Sequence, residues 1–430
     1  MAIGPGMCYN ELIFLGKAGG TMKAERPYPQ VHITQKGERA LTAGHPWVYA
    51  AEVTELSGPV EDGGLADVIG HKGAYLGTGF YNSHSLIRCR LLSRNANDRF
   101  DDAFWQRRVQ YAWDYRKAVM PPEDLHCCRV IFGEADGFPG LTVDRFGPVL
   151  VVQVLSLGME HIQDRLLPIL AQVLRRDGQD IAGIYLRNDV ALREKEGLPQ
   201  GKGWYPLPGE AAPDSAVTEI TENGVKYLVD VENGQKTGFF LDQKYNRRAV
   251  GRIARGRTVL DCFTHTGSFA LNAAMGGAKH VTAVDVSESA VEMARANAAR
   301  NGLTGAVDCV AANVFDLLPA LEKEPKRYDF IILDPPAFTK SRRTVANAIS
   351  GYKEINYRAM KLLPRGGLLA TCSCSHFATE EKFAAMLHSA ARDAGVQLRQ
   401  IEARQQACDH PILWGVEETN YLKFYLFQVV

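Results

Sequence analysis

The first half of the chain shows two successive patterns of hydrophobic and polar positions. Residues 28–95 carry short runs of alternating apolar and polar residues broken by glycines, which predicts short strands in a small β-barrel or sandwich. The pattern that follows predicts a helix, hairpin strands, a second helix and a strand over 100–120, 129–154, 159–176 and 182–187. The Gly- and Pro-rich residues 197–215 indicate a linker or an edge loop.

From about residue 256 onward, short apolar runs alternate with stretches of helical periodicity. Strands are predicted over 258–262, 281–284, 307–310, 330–333 and 368–371. Such alternation is typical of a doubly wound, mostly parallel sheet with helices on both faces. The predicted fold class is therefore α/β, with a Rossmann-like C-terminal domain that follows a small β-rich domain and a central α+β domain.

Composition and charge narrow the classes of protein. The 430 residues include 49 Lys plus Arg and 49 Asp plus Glu, so the formal net charge is zero. This balance argues against a protein that coats nucleic acid without sequence preference, but it leaves open an RNA enzyme with a local basic groove. The nine cysteines show no zinc or disulfide spacing, and no apolar run reaches about 18 residues. We therefore expect a cytoplasmic protein with reduced thiols, no metal site and no membrane partner.

Polar residues follow the first three predicted strands of the C-terminal sheet, where open α/β sheets bind their ligands. The turn after the first strand supplies Asp261, Phe263, Thr264, Thr266 and Gly267. Asp285 ends the second strand and can accept hydrogen bonds from two ribose hydroxyls, and Asn313 after the third can read an adenine edge. The G-x-G-x-x-G fingerprint of dinucleotide sites is absent here, so the prediction is a nucleoside ligand.

The fourth and fifth strands end in residues that suit covalent chemistry on a planar base. Two prolines after Asp334 fix the backbone, so its carboxylate can be held against a base. Cys374 lies just past the fifth strand, where a thiolate can be exposed and activated. Cys372 is the competing candidate, and six of the other cysteines, Cys8, Cys89, Cys127, Cys128, Cys309 and Cys408, read as small buried hydrophobes.

Together these residues resemble class I S-adenosylmethionine-dependent methyltransferases, and more closely the bacterial ribosomal RNA large-subunit methyltransferase I family. Other segments are similar to that family's PUA domain, its central domain and the motif leading into its methyltransferase domain, at 45–49, 133–140, 143–147 and 236–243. Residues 351–353 and 409–411 also fit. The Gly-rich residues 1–26 are predicted to be a flexible leader. The resemblance implies a PUA-like RNA-binding domain, a central α+β domain and a methyltransferase domain over 27–98, 99–220 and 221–430.

The resemblance implies that the chain forms 5-methylcytosine in 23S rRNA with S-adenosylmethionine as cofactor. Related enzymes carry the nucleophile seven positions after a glycine equivalent to Gly367, which assigns Cys374. Asp334 would hydrogen-bond the ring nitrogen and the exocyclic amine of cytosine. The implied cofactor contacts are Asp261, Phe263, Thr264, Thr266, Gly267, Asp285, Asn313, Asp334 and Gln243. The implied RNA contacts are Trp47, Arg342, Arg343 and Lys353.

Two features depart from the family pattern: Asn313 stands where an aspartate is expected, and the leader before residue 27 has no counterpart. Some related RNA cytosine methyltransferases carry a second cysteine that helps to release product. Ala337-Phe338 occupies its place here, which matches the large-subunit methyltransferase I pattern. Other functions stay open: a methyltransferase for another RNA base or position, which for an amino group needs no cysteine, or a non-catalytic RNA-binding factor in ribosome assembly. A nicotinamide dehydrogenase is disfavoured by the missing glycine fingerprint. Naked 23S rRNA and an assembly intermediate are both open as substrate, as is a homodimer.

Overall fold

The computed structural model describes residues 26–324, 328–339 and 341–430, so the predicted leader lies outside the described residues except for Arg26. The chain divides into two compact units, and the division falls after Asp98. Cys8 also lies outside the described part, and the other eight cysteines are all free thiols. Among the helices described, none combines the length and the apolar character that crossing a membrane requires.

The first unit contains a six-stranded sheet and one α-helix. Its elements are β1 (Gln30–Ile33), α1 (Gln35–Thr42), β2 (Trp47–Tyr49), β3 (Val53–Ser57), β4 (Leu65–Ile69), β5 (Tyr75–Tyr81) and β6 (Ile87–Ser93). The strand order is β2-β6-β5-β4-β1-β3, in one sheet rather than the two stacked sheets of a sandwich. The sequence pattern missed α1, which begins at Thr34, whose hydroxyl accepts a hydrogen bond from Gly37 N at 3.2 Å.

The second unit begins with an α+β layer that contains the predicted helices and hairpin strands. Its elements are α2 (Asp102–Val119), β7 (Cys127–Phe132), β8 (Leu141–Phe146), β9 (Val149–Val154), α3 (Leu157–Arg176), β10 (Gly183–Arg187) and β11 (Lys202–Tyr205). The sheet order is β11-β10-β9-β8-β7. The stretch predicted as a linker or edge loop therefore holds an edge strand, in which Trp204 packs edge-to-face on Tyr185 at a centroid distance of 5.0 Å.

A two-stranded hairpin and a helix lead into the large sheet: β12 (Val217–Glu222), β13 (Val225–Asp230) and α4 (Lys244–Ile253). The large sheet and its helices are β14 (Thr258–Cys262), α5 (Ser268–Met275), β15 (His280–Asp285), α6 (Glu288–Arg300), β16 (Val307–Ala311), α7 (Val314–Leu321), β17 (Phe330–Leu333), α8 (Val345–Leu362), β18 (Leu368–Ser373), α9 (Glu380–Ala394), β19 (Leu398–Arg404) and β20 (Lys423–Val429).

The strand order of the large sheet is β16-β15-β14-β17-β18-β20-β19. The first five strands in this order are mutually parallel, and β20 and β19 add to the edge as antiparallel strands. The buried strands read as almost continuous apolar runs, because helices cover both faces. The predicted α/β class is confirmed, and the carboxyl ends of β14, β15, β17 and β18 meet at one edge.

Candidate active site

A cavity of about 500 Å³ opens at the carboxyl ends of the parallel strands. The predicted residues in its wall are Gln243, Phe263, Thr264, Asp285, Asn313, Asp334 and Cys374. Asp261, Thr266 and Gly267 do not line it. A larger cavity of about 800 Å³ beside α4 is lined by none of the predicted site residues. The fold therefore brings residues from five strand ends and from the segment just before α4 into one space.

The turn between β14 and α5 is held in an unusual backbone conformation. Phe263 and His265 have φ of 66° and 52°, in the left-handed region that non-glycine residues rarely adopt. Asp261, fully buried beneath the turn, accepts hydrogen bonds from Thr264 Oγ1 at 2.5 Å and from Ala270 N at 2.9 Å. Burial raises the pKa of Asp261 to about 7. Asp261 thus holds the turn through these hydrogen bonds and does not line the cavity. Its position in the sequence had predicted contact with the ligand.

The far end of the cavity combines a carboxylate with aromatic rings. Asp285 accepts hydrogen bonds from His265 N at 2.9 Å and Ser287 N at 3.0 Å, and each of its oxygens keeps a lone pair for a ligand hydroxyl. Asn313 accepts from Phe315 N at 3.0 Å as the N-cap of α7. The Phe315 and Phe338 rings lie 5.8 Å apart. A carboxylate beside an aromatic wall fits a ribose joined to a planar base.

Asp334 lies at the opposite end of the cavity, where residues just before α4 form a hydrogen bond with it and change its pKa. Gln243 donates a hydrogen bond from Nε2 to Asp334 Oδ1 at 2.9 Å, and its own Oε1 accepts from Asn246 Nδ2 at 2.6 Å. Burial and the nearby Asp242 carboxylate raise the pKa of Asp334 to about 7, against the opposing effects of Arg247, the Cys372 thiol and Gln243. The protonated form of Asp334 is therefore favoured relative to an exposed aspartate.

The two candidate cysteines occupy different environments. Cys372 lies within β18 opposite Phe424 and is fully buried; its thiol interacts with Asp334 and Gln243 but does not line the cavity. Cys374 lies beyond the strand and lines the cavity. Burial and the Asp334 carboxylate raise the pKa of Cys374 to about 11, while Lys236 and Lys423 act in the opposite direction. The structure thus brings Cys374, and not Cys372, to the wall shared with Asp334.

Three polar residues near Cys374 were not singled out from the sequence. Asp242 and Lys236 line the cavity, and both fall within the motif at 236–243 that carries part of the family resemblance. Asp242 is 7% exposed, and its Oδ2 accepts a hydrogen bond from the Tyr421 hydroxyl at 2.7 Å. Lys423 opens β20, about 50 residues after Cys374 in the chain. No sequence signal connects Lys423 to the site, because strand pairing alone brings it there.

Arg343 and Lys353, two of the predicted RNA contacts, are not among the residues that line the cavity. Trp47 belongs to the first unit, where its ring packs against His45 at a centroid distance of 5.2 Å. Arg343 is exposed in a 3-10 turn that follows the Asp334 loop. Lys353 on α8 forms an ion pair of 2.6 Å with Asp393. The side chain of Arg342 lies outside the described part of the chain, and all four RNA contacts stay predictions.

Two family models match this chain, one in its N-terminal part and one over its C-terminal half. A family model described as S-adenosylmethionine-dependent methyltransferase matches residues 207–428. A second family model, described as PUA-like domain, matches residues 31–94. A methyltransferase from Streptococcus mutans has the same fold with a TM-score of 0.77 and 22% identity, covering 93% of this chain and 99% of its own. Another methyltransferase structure, solved as a complex with SAH, gives a TM-score of 0.78 with the same identity and coverage.

Curated relatives match almost the whole chain. The ribosomal RNA large subunit methyltransferase I of Klebsiella pneumoniae (strain 342) is 39% identical over 404 residues, covering 94% of this chain and 99% of that protein. The protein of the same name from Salmonella arizonae is also 39% identical, covering 94% and 98%. The predicted cofactor, S-adenosylmethionine, is confirmed for the methyltransferase domain. With a PUA-like domain, a methyltransferase domain and relatives of this similarity, the chain belongs to the ribosomal RNA large subunit methyltransferase I family.

Proposed function

We propose that this chain methylates carbon 5 of a cytosine in 23S rRNA through a covalent bond between Cys374 and carbon 6 of the ring. The observation that carries the proposal is the shared cavity wall, which is lined by both Cys374 and Asp334, a carboxyl group whose pKa is raised. The names of the curated relatives support ribosomal RNA as the substrate. With that substrate, the site of action is the cytoplasm.

The cofactor would occupy the end of the cavity that holds Asp285 and Asn313. Asp285 has free lone pairs for the two ribose hydroxyls, and the Phe315 ring and Asn313 would border the adenine. Asp261, Thr266 and Gly267 would support this end through the shape of the turn. When bound, S-adenosylmethionine supplies an electrophilic methyl group on a sulfonium centre.

Cys374 and Asp334 would divide the work on the cytosine ring. Carbon 5 of cytosine is a weak nucleophile, and addition of the Cys374 thiolate to carbon 6 makes it enamine-like. Protonated Asp334 would donate to the ring nitrogen and so stabilise the charge that develops there. Carbon 5 would then bond to the methyl group as the bond from that methyl to the sulfonium sulfur breaks, which leaves S-adenosylhomocysteine. A base removes the carbon 5 proton, the bond between carbon 6 and the Cys374 sulfur breaks, and the thiolate leaves as the double bond reforms. The ring nitrogen then returns its proton to Asp334.

The target base must leave its stack to reach this cavity. Single-stranded or locally opened RNA is therefore the expected substrate form. The PUA-like domain, Arg342, Arg343 and Lys353 are the proposed contacts to flanking nucleotides.

The test is a methyl-transfer assay with labelled S-adenosylmethionine on 23S rRNA that lacks its modifications. Wild type, Cys374→Ala and Cys372→Ala are compared, and the labelled nucleosides are identified after digestion. We expect 5-methylcytidine from wild type and from Cys372→Ala, and none from Cys374→Ala. A different methylated nucleoside, or activity that survives without Cys374, would overturn the covalent cytosine mechanism and favour a methyltransferase for another base or position.

A further inference from the structure

Lys423 is a buried cation without a carboxylate partner among the described residues. Its side chain is part of a residue only 7% exposed, and its Nζ donates hydrogen bonds to the carbonyl oxygens of Ser375 and Tyr421, both at 2.8 Å. Burying a charge without a counter-ion is costly, and natural proteins retain such groups where the charge has a use.

Strand pairing places this cation beside the nucleophile. Lys423 opens β20, which runs antiparallel to β18, and it lies opposite Ser373 in the register. Cys374 is the next residue along the chain, and Ser375, whose carbonyl Lys423 holds, follows it. The Ser375 hydroxyl also forms a 2.8 Å hydrogen bond with the Tyr352 hydroxyl. The segment that carries Cys374 is therefore fixed by hydrogen bonds from β20 and from α8.

Two groups near Lys423 can carry a negative charge, and Cys374 is one of them. Glu380 on α9 is the other acidic group that acts on Lys423, and this carboxylate accepts a hydrogen bond from the Tyr425 hydroxyl at 3.0 Å. Burial lowers the pKa of Lys423 to about 8, partly offset by Cys374 and Glu380, so the ammonium form prevails at pH 7. Cys374 is also faced by Asp334, Lys236 and Asp242.

We propose that Lys423 is a positioning residue of the nucleophile: it fixes the chain just past Cys374 through the Ser375 carbonyl and adds to the positive charge of Lys236 in stabilising the Cys374 thiolate. This inference rests on the proposed function, because a thiolate is needed only if Cys374 attacks the base. Two of the three ammonium protons are used by carbonyl oxygens, and the charge of Lys423 acts on Cys374 through space.

The reactivity of Cys374 tests this without RNA or cofactor. Alkylation by iodoacetamide at pH 7 is followed by mass spectrometry of the Cys374 peptide in wild type, Lys423→Met, Lys423→Gln and Lys423→Arg. Gln keeps a hydrogen-bond donor without the charge, and Arg keeps both. We expect alkylation about tenfold slower in the Met and Gln variants, the effect of one pKa unit on the thiolate fraction, and a rate within about threefold of wild type in Arg.

Lys382→Gln is the matched control, because Lys382 is an exposed lysine on α9 outside the cavity. Its alkylation rate should equal that of wild type. Thermal unfolding of every variant shows whether it is folded, and Gln stands in for Met if Met fails to fold. In the methylation assay, the Met and Gln variants should lose kcat while KM for RNA stays unchanged.

Equal alkylation rates in wild type, Met and Gln would overturn the proposal. If alkylation is slow in Lys423→Met but as fast as wild type in Lys423→Gln, the proposed role of the charge is overturned. Lys423 would then act only as a hydrogen-bond donor. If alkylation is as slow in Lys423→Arg as in Lys423→Met, only the packing of the lysine side chain matters, which contradicts the inference. Alkylation could be slower in Lys423→Met and Lys423→Gln while a Cys374→Ala enzyme still methylates RNA. That result would support the link between Lys423 and Cys374 and would overturn the covalent mechanism.

Discussion

The side-chain amide of Gln243 donates a hydrogen bond of 2.9 Å to Oδ1 of Asp334, joining residues 91 positions apart in the chain. Asp242, the neighbour of Gln243, acts on the same carboxyl group with the opposite sign. The donor stabilises the ionised form of Asp334, and the Asp242 charge disfavours it. Burial raises the pKa of this carboxyl group most, and two adjacent residues before α4 adjust it in opposite directions.

Variants of these two residues should move the pKa of Asp334 in opposite directions. Asp242→Asn removes a negative charge and should lower the pKa from about 7, and Gln243→Leu removes a donor and should raise it. The measurement is an infrared titration of the protonated carboxyl band, as the difference between each protein and the same protein carrying Asp334→Asn. Shifts in the same direction, or none, would contradict this account.

Gly267→Ala should reduce both stability and cofactor binding. Gly267 has φ of 84°, and an added Cβ would lie 3.1 Å from the Ala294 Cβ. The left-handed conformation costs a non-glycine residue about 1–2 kcal/mol, and the turn that carries Phe263 must shift as well. Urea denaturation gives the free energy of unfolding, and calorimetry gives the affinity for S-adenosylmethionine.

Gly302→Ala is the matched control for that prediction. Gly302 has φ of 67°, lies outside the cavity and has open space where a Cβ would be. This variant should lose similar stability and keep the affinity of wild type for the cofactor. Equal loss of affinity in both variants would show that general destabilisation, and not the shape of the turn, controls binding.

Asp285→Ala should weaken the binding of S-adenosylmethionine by about 10- to 100-fold, since hydrogen bonds to a charged group contribute about 1.5–3 kcal/mol. Asp285 also accepts hydrogen bonds from two backbone amides, so the unfolding midpoint should fall slightly. Asp308→Ala serves as the control, because Asp308 is an exposed acid on the neighbouring β16. Unchanged affinity in Asp285→Ala would remove this residue from the cofactor site.

Asp261→Asn should change how stability depends on pH. Burial raises the pKa of Asp261 to about 7 in the folded state, against about 3.9 in the unfolded chain, so the folded state binds its proton more tightly. Asp261 therefore destabilises the fold increasingly as pH rises from about 4 to 7, by roughly 1.4 kcal/mol for each unit of pKa difference.

The Asn variant lacks that titration, so its stability relative to wild type should be greater at pH 8 than at pH 5. Urea denaturation at the two pH values gives this difference directly. Parallel changes in wild type and variant would mean that Asp261 is ionised throughout and that its partners Thr264 and Ala270 offset its burial.

The sequence by itself determined the α/β class and the position of most strands. The strand β17 is a continuous apolar run and β14 is nearly one, and such runs between helical stretches are typical of a buried parallel sheet. The strand-end residues Asp285, Asp334 and Cys374 were predicted for the same reason, since parallel strands expose their carboxyl ends at one edge. The sequence pattern did not predict short elements such as α1 and β11, because their stability comes from a cap or from a neighbouring strand.

Only the tertiary structure decided what each polar residue does. Asp261 and Asp285 look alike in the sequence, yet one is sealed beneath the turn and the other lines the cavity. Cys372 and Cys374 are two positions apart, and the end of β18 between them buries one and leaves the other at the wall. Lys423 reaches this site through antiparallel pairing with β18, a contact between distant segments that depends on long-range register and leaves no local pattern in the chain.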